Sequence, residues 1–151
     1  MSTEKQDLYE HCRAYAARRV NSLQAQIREL KEDLNSETKS TAGDQHETGR
    51  AMMQLELERF SQALDEAERL EGVLKRISSP KTHSERIIPG SLVECGTVRY
   101  YLAISAGACT LNGRTYYCVS AESPVGQQLL GKTLGDTISL PTGNLKITAT
   151  Y

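Results

Sequence analysis

Residues 53–77 read MQLELERFSQALDEAERLEGVLKRI, and apolar side chains recur in this stretch at gaps of three and four. Such spacing keeps the apolar side chains on one side of a helix, so the stretch predicts a long amphipathic helix. Most of the other positions are charged or polar, as is typical of helix faces in contact with solvent. The apolar stripe consists of Met53, Leu57, Phe60, Leu64, Ala67, Leu70, Leu74 and Ile77.

A second stripe precedes the first, with the same gaps and one double step of eight. It consists of Leu8, Cys12, Tyr15, Leu23, Ile27, Leu30 and Leu34. Neither helix can bury its stripe alone, and each has one available partner, the other helix. We therefore predict an antiparallel coiled-coil hairpin over residues 1–79, with two helices of about 25 residues or more.

The segment between the stripes, residues 35–50, is polar and contains Gly43 and Gly49. Small polar residues favour turns over helix interiors, so this segment predicts the tip of the hairpin. After the second stripe, Pro80 cannot continue a helix, and residues 80–84 are interpreted as a linker.

Residues 85–151 predict a small β-rich domain, which makes the fold class α+β. Asn112-Gly113 between two β-rich runs is a strong signal for a hairpin turn. Ser123-Pro124 predicts the start of a short helix, with Ser as the N-cap and Pro at the first helical position. Four or five antiparallel strands are expected, with candidates at residues 99–104, 109–111, 114–119, 137–140 and 145–150.

Charge and apolar content exclude several classes of protein. The net charge of −1 argues against duplex nucleic-acid binding driven by bulk charge. No apolar run approaches the roughly 18 residues that a membrane helix needs, so we expect a cytoplasmic protein without membrane contact. The four cysteines lack C-x-x-C spacing and are expected to be small buried apolar residues rather than metal ligands.

Two stretches resemble the bacterial Gre transcript-cleavage factors. Residues 123–136 read SPVGQQLLGKTLGD, similar to the Ser-Pro, short helix, Leu-Leu-Gly-Lys and Gly-Asp pattern near the C-terminus of that family. Residues 43–47 read Gly-Asp-Gln-His-Glu, similar to the family's Gly-Asp-x-x-Glu, and fall in the predicted tip. The order of the two parts also matches, with a coiled-coil hairpin first and an FKBP-like domain second.

The resemblance implies a function that the residues alone do not. It implies a monomer whose FKBP-like domain docks on the rim of the RNA polymerase secondary channel and whose hairpin enters the channel. By the residue match, Asp44 and Glu47 would help to hold a second Mg²⁺ in the polymerase active site, close to the 3′ end of backtracked RNA. The chain would then stimulate the polymerase's own nuclease activity without being an enzyme itself.

The tip departs from the family pattern after Glu47. Gre factors usually continue Asn-Ala-Glu/Asp-Tyr, whereas this chain has Thr48-Gly49-Arg50-Ala51. Such a tip also fits an alternative, a regulator that binds in the channel without promoting cleavage. A coiled-coil adaptor unrelated to polymerase is a third interpretation, and in that case Asp44 and Glu47 would be ordinary solvated carboxylates.

Overall fold

A computed structural model describes the backbone of residues 2–39, 44–77 and 84–151, and the burial of side chains at 4–36, 48–77 and 84–151. Two compact units emerge from the contacts within the chain. The helical unit is Ala16–Leu70, and the mixed unit combines Met1–Tyr15 with Glu71–Tyr151. The predicted division at residues 79 and 84 stays a prediction, and most of its linker lies outside the described residues.

Two long helices form the N-terminal half, as predicted. Helix α1 is Ser2–Lys39, 38 residues, and helix α2 is Asp44–Arg76, 33 residues. The polar segment between the stripes is more helical than predicted, because α1 continues to Lys39 and α2 resumes at Asp44. Each added residue of an existing helix gains a hydrogen bond, and Ser, Thr and Asn reduce that gain by only about 0.5 kcal/mol each. Gly43 lies outside the described residues.

The helices of the helical unit pack in antiparallel fashion. Arg50 of α2 donates from Nη1 to the carbonyl oxygen of Leu34 on α1, over 3.3 Å. At the other end of the unit, residues near the start of this part of α1 contact residues near the end of this part of α2, as in an antiparallel hairpin. The apolar contact there joins Val20, Leu23 and Ala67, with Phe60, Ala63 and Leu64 packed against them. The predicted coiled-coil pairing is confirmed for this unit.

Seven strands are found among the described residues, more than the four or five predicted. Five form one sheet in the order β3-β4-β2-β1-β7, and β5 and β6 form a separate hairpin. The predicted last strand, residues 145–150, is wrong as a single element, because its two halves belong to different sheets. The strands are β1 Leu92–Cys95, β2 Val98–Ala103, β3 Gly107–Leu111, β4 Arg114–Ser120, β5 Thr137–Leu140, β6 Gly143–Lys146 and β7 Ala149–Thr150.

The sheet is not purely antiparallel. Strand β4 pairs with β2 in parallel, with Tyr101 opposite Cys118, and with β3 in antiparallel orientation. The prediction of antiparallel strands alone is therefore wrong. Alternating apolar residues identify a strand but not its neighbours, so the insertion of β4 between β2 and β3 leaves no local signal. The predicted turn is confirmed, since Asn112 and Gly113 have φ of 51° and 76°.

One face of the sheet is covered by helix α3, Pro124–Leu129, and by the β5-β6 hairpin. The side chains between them are almost completely buried, as expected for a small core that relies on close packing. This core consists of Ile87, Val93, Cys95, Leu102, Leu129, Ile138 and Ile147.

The opposite face of the sheet packs against the first residues of α1. His11 Nε2 lies 3.1 Å from the carbonyl oxygen of Ala106, and the thiol of Cys118 forms a hydrogen bond with Cys12. Cys12 is fully buried. The expectation that α2 is the only partner of α1 is therefore wrong at this end, where α1 also contacts the sheet.

Candidate functional site

The two predicted metal-binding carboxylates lie at the start of α2. Asp44 is the first residue of the helix and Glu47 the fourth, so their backbone positions are separated by about one turn. Acidic residues in the first turn also stabilise a helix through its dipole, by about 0.3–1 kcal/mol each. The position of this pair therefore fits either a ligand role or a helix-stabilising role.

Arg50, three residues after Glu47, forms a hydrogen bond between the two helices. Arg50 donates to the carbonyl oxygen of Leu34, so its guanidinium ties the second turn of α2 to the last turns of α1. A carboxylate at position 50 has no proton to donate at neutral pH and could not form this bond. Sequence reasoning missed this contact, since a single arginine in a polar segment carries no signal of what it binds.

Ser123 organises the C-terminal stretch that resembles the Gre factors. Its hydroxyl accepts from the backbone N–H of Gly126 over 3.1 Å and donates to the carbonyl oxygen of Ser120 over 2.7 Å. Pro124 follows at the first position of α3, where no backbone N–H is needed. The predicted N-cap is therefore confirmed.

Gly126, Gly131 and Asp136 in the same stretch also have structural explanations. A Cβ at position 126 would overlap the carbonyl of Ser120, and Gly131 has a φ of 81°, which favours glycine. The carboxylate of Asp136 accepts from the backbone N–H of Thr133 over 2.9 Å. These residues hold the turn around α3, so the stretch indicates a fold rather than a chemical reaction.

Two aromatic side chains of the sheet are buried. Tyr101 is completely buried and Tyr116 is 2% exposed. Burial raises the pKa of Tyr101, with further contributions from Cys12, Cys118 and Tyr9, and its hydroxyl has no hydrogen-bond partner among the described residues. A prolyl isomerase of the FKBP type needs an open apolar cavity, and these two rings do not line one.

All four cysteines are free and buried, as predicted. The hydrogen bond with Cys12 and burial both raise the pKa of Cys118, and burial raises the pKa of Cys95 and Cys109. These thiols therefore remain protonated at neutral pH and are poor nucleophiles. Within the described ranges there is no group of three or more His, Cys, Asp or Glu side chains suited to a metal ion.

No helix within the described part of the chain is long and apolar enough to cross a membrane. No family model matches the chain, and no curated protein matches it. Among solved structures, the chain is similar to the crystal structure of GreA factor homolog 1 from Thermus thermophilus. The identity is 21%, the match covers 92% of this chain and 94% of that chain, and the TM-score is 0.37.

Proposed function

We propose that this protein binds RNA polymerase and inserts its helical unit into the secondary channel. The observation that carries this proposal is the placement of Gly-Asp-x-x-Glu where one long helix gives way to another: α1 ends at Lys39 and α2 begins at Asp44. The 24 residues of α1 within the helical unit span about 36 Å at 1.5 Å per residue, a length suited to a probe. The C-terminal Ser-Pro stretch adds support, because it resembles the same family.

In the proposed mechanism, Asp44 and Glu47 supply part of the coordination of a second Mg²⁺. Magnesium requires about six oxygen ligands, so two carboxylates cannot hold it without ligands from the polymerase and the RNA. A second ion stabilises the attacking and leaving oxygens during hydrolysis of a phosphodiester. The chain alone would then have no nuclease activity, and its contribution depends on complex formation.

A second candidate function is occupation of the channel without cleavage. The contact between Arg50 and Leu34 supports it, because Arg50 stands where the Gre pattern has an acidic residue, and Ala51 stands where it has an aromatic one. Position 50 therefore offers no carboxylate to the metal, and its guanidinium bonds to α1 instead. Both candidates require binding to polymerase, and they differ only in what the start of α2 does there.

Retention of the full chain on immobilised core polymerase tests the shared claim. The wild type and the variant with Asp44→Ala and Glu47→Ala should be retained equally, because the proposal assigns these two carboxylates to the metal ion and not to the contact with polymerase. Resin without polymerase provides the blank. Recovery no greater than on the blank would contradict the proposal and favour an unrelated coiled-coil adaptor.

The position of the bound chain can be tested with Fe²⁺ in place of the catalytic Mg²⁺ of the polymerase. Hydroxyl radicals formed at that site cut the polypeptide nearest to it. We expect cuts around residues 40–50 of this chain, detected by mass spectrometry of the fragments. Cuts confined to residues 84–151 would place the wrong end of the chain near the active site and contradict insertion.

A further inference from the structure

Strand β3 lies at the edge of the five-stranded sheet and pairs with β4 on one side only, within the described part of the chain. Its sequence, Gly107-Ala108-Cys109-Thr110-Leu111, contains no charged residue and no Pro. Natural edge strands usually carry such residues, because a bare edge offers unpaired backbone groups to another strand. The edge of β3 has none of these protections.

The hairpin register shows which backbone groups face the open edge. Asn112-Gly113 forms a two-residue turn, so the flanking pair, Leu111 and Arg114, is hydrogen-bonded, and alternate residues of β3 bond to β4 from there. The N–H and C=O groups of Ala108 and Thr110 therefore point away from β4. Both residues are exposed.

We propose that two copies of this chain associate by pairing their β3 edges in antiparallel orientation. Ala108 of one copy would face Thr110 of the second copy, and the reverse, with Cys109 on the two-fold axis. Both facing pairs are then of the hydrogen-bonded type, which gives four backbone hydrogen bonds. The same surface serves on both copies, as a two-fold dimer requires.

A second copy is the occupant because the exposed edge is self-complementary. The two residues with outward groups flank Cys109 symmetrically, so only one register satisfies every outward N–H and C=O between residues 108 and 110. On the exposed face, Ala108 and Thr110 lie beside Tyr117 and Thr115 of β4, and none of the four is charged. On this face no like charges would oppose each other across the junction.

The ring of Tyr117 adds an apolar border to this junction. Its side chain is 45% exposed, and its ring centroid lies 6.2 Å from that of Tyr100. Even so, a five-residue strand buries less than the roughly 1,200 Å² of a stable interface. The predicted dimer is therefore weak and forms at high protein concentration, while the chain stays monomeric when dilute, as the resemblance to the Gre factors implies.

Sedimentation equilibrium of the full chain tests this association. We expect the mass to rise from one chain toward two as the concentration approaches the order of 1 mM, as a weak dissociation constant requires. Ala108→Pro should weaken association at least about tenfold, because it removes an outward N–H that the fold itself does not use. Ala108→Val keeps that N–H and should associate as the wild type does.

Disulfide cross-linking tests the register. Ala108→Cys and Thr110→Cys are made separately, each with Cys109→Ala so that the axial thiols cannot react. Oxidation of the mixture with diamide should give mainly the heterodimer, because position 108 faces position 110 of the second copy.

Three outcomes would overturn the proposal. The first is the mass of one chain at the highest concentration, and the second is equal association of Ala108→Pro and Ala108→Val. The third is a mixture in which homodimers are as frequent as heterodimers. Circular dichroism of each variant confirms that the fold is retained. These experiments use the chain without polymerase. A negative result would therefore refute the dimer and leave the proposed function untouched, and the reverse holds for the polymerase experiments.

Discussion

Two glycines in helices differ in how much space surrounds them. At Gly126 in α3, a Cβ would overlap the backbone carbonyl of Ser120, which cannot move without breaking the N-cap. At Gly72 in α2, a Cβ would meet nothing within 4 Å. The first glycine is required by packing, whereas the second only lowers the helix propensity.

Gly126→Ala should destabilise the protein by about 3 kcal/mol, because a rigid backbone must shift to accept the methyl group. Gly72→Ala, the matched control, should stabilise it by up to about 1 kcal/mol. Thermal unfolding followed by circular dichroism measures both. If the two substitutions lower the melting temperature equally, the close approach of α3 to Ser120 is wrong.

The buried thiol of Cys118 makes the stability of the fold depend on pH in the alkaline range. Its pKa is raised by the hydrogen bond with Cys12 and by burial, whereas in the unfolded chain a thiol titrates near about 8.5. Above that pH the unfolded state loses a proton that the folded state keeps. The stabilisation is therefore complete below about pH 8.5 and declines as the pH rises.

The free energy of unfolding should fall by about 1.4 kcal/mol per pH unit above pH 9 for each such thiol. Cys118→Ala should make this slope shallower by that amount. Val119→Ala shortens the adjacent side chain without removing a titratable group, and its slope should equal that of the wild type. Urea unfolding at several pH values provides the measurement, and an unchanged slope in Cys118→Ala would rule out the buried thiol as the cause.

At the scale of elements, the first turns of α1 belong with the sheet as well as with α2. The hydroxyl of Tyr9 donates to the carbonyl oxygen of Leu74 over 3.0 Å, while His11 and Cys12 contact the sheet. Tyr101 would lose its cover without this segment. The β-rich part of the chain therefore depends on residues far away in the sequence.

A fragment of residues 84–151 should be much less stable than the same region of the full chain, because it exposes the face that carries Tyr101. A peptide of residues 1–20 added in excess should raise its melting temperature. The matched control is the same peptide with Cys12→Asp, which places a charge against the sheet and should have no effect. Full stability of the fragment without the peptide would contradict this account.

Local sequence patterns predicted the helices and strands better than they predicted which of these elements pack or pair with each other. The three-four spacing identified both helices, and Asn112-Gly113 identified the β3-β4 turn, because these features arise within a few residues. The contact of Cys12 with Cys118 joins residues 106 positions apart and leaves no periodic trace. For the same reason the parallel pairing of β2 with β4 could not be predicted.

The candidate site was predicted only in part, and for a similar reason. The position of Asp44 and Glu47 near the junction of the two helices followed from the stripes on either side, and the structure starts α2 at Asp44. The bond from Arg50 to Leu34 depends on how the two helices face each other. A metal-binding role for the pair remains a prediction, since it depends on ligands from outside this chain.

At the scale of the whole molecule, the proposed function requires anchoring and chemistry from different parts of the chain. The hydrogen bonds of Ser123 and Asp136 stabilise the turn around α3, while Asp44 and Glu47 would act only inside a complex. Loss of the two carboxylates should therefore separate polymerase binding from RNA hydrolysis. Wild-type protein that binds without any cleavage would identify the channel-occupying regulator instead.

RNA cleavage in backtracked polymerase complexes shows whether Asp44 and Glu47 take part in hydrolysis. The matched control is Asp65→Ala with Glu68→Ala, because this exposed pair has the same spacing on the same helix. Wild type and control should stimulate cleavage equally, and Asp44→Ala with Glu47→Ala should reduce it by about tenfold or more, with partial recovery at high Mg²⁺. Substantial cleavage that is unchanged by loss of Asp44 and Glu47 would contradict the account.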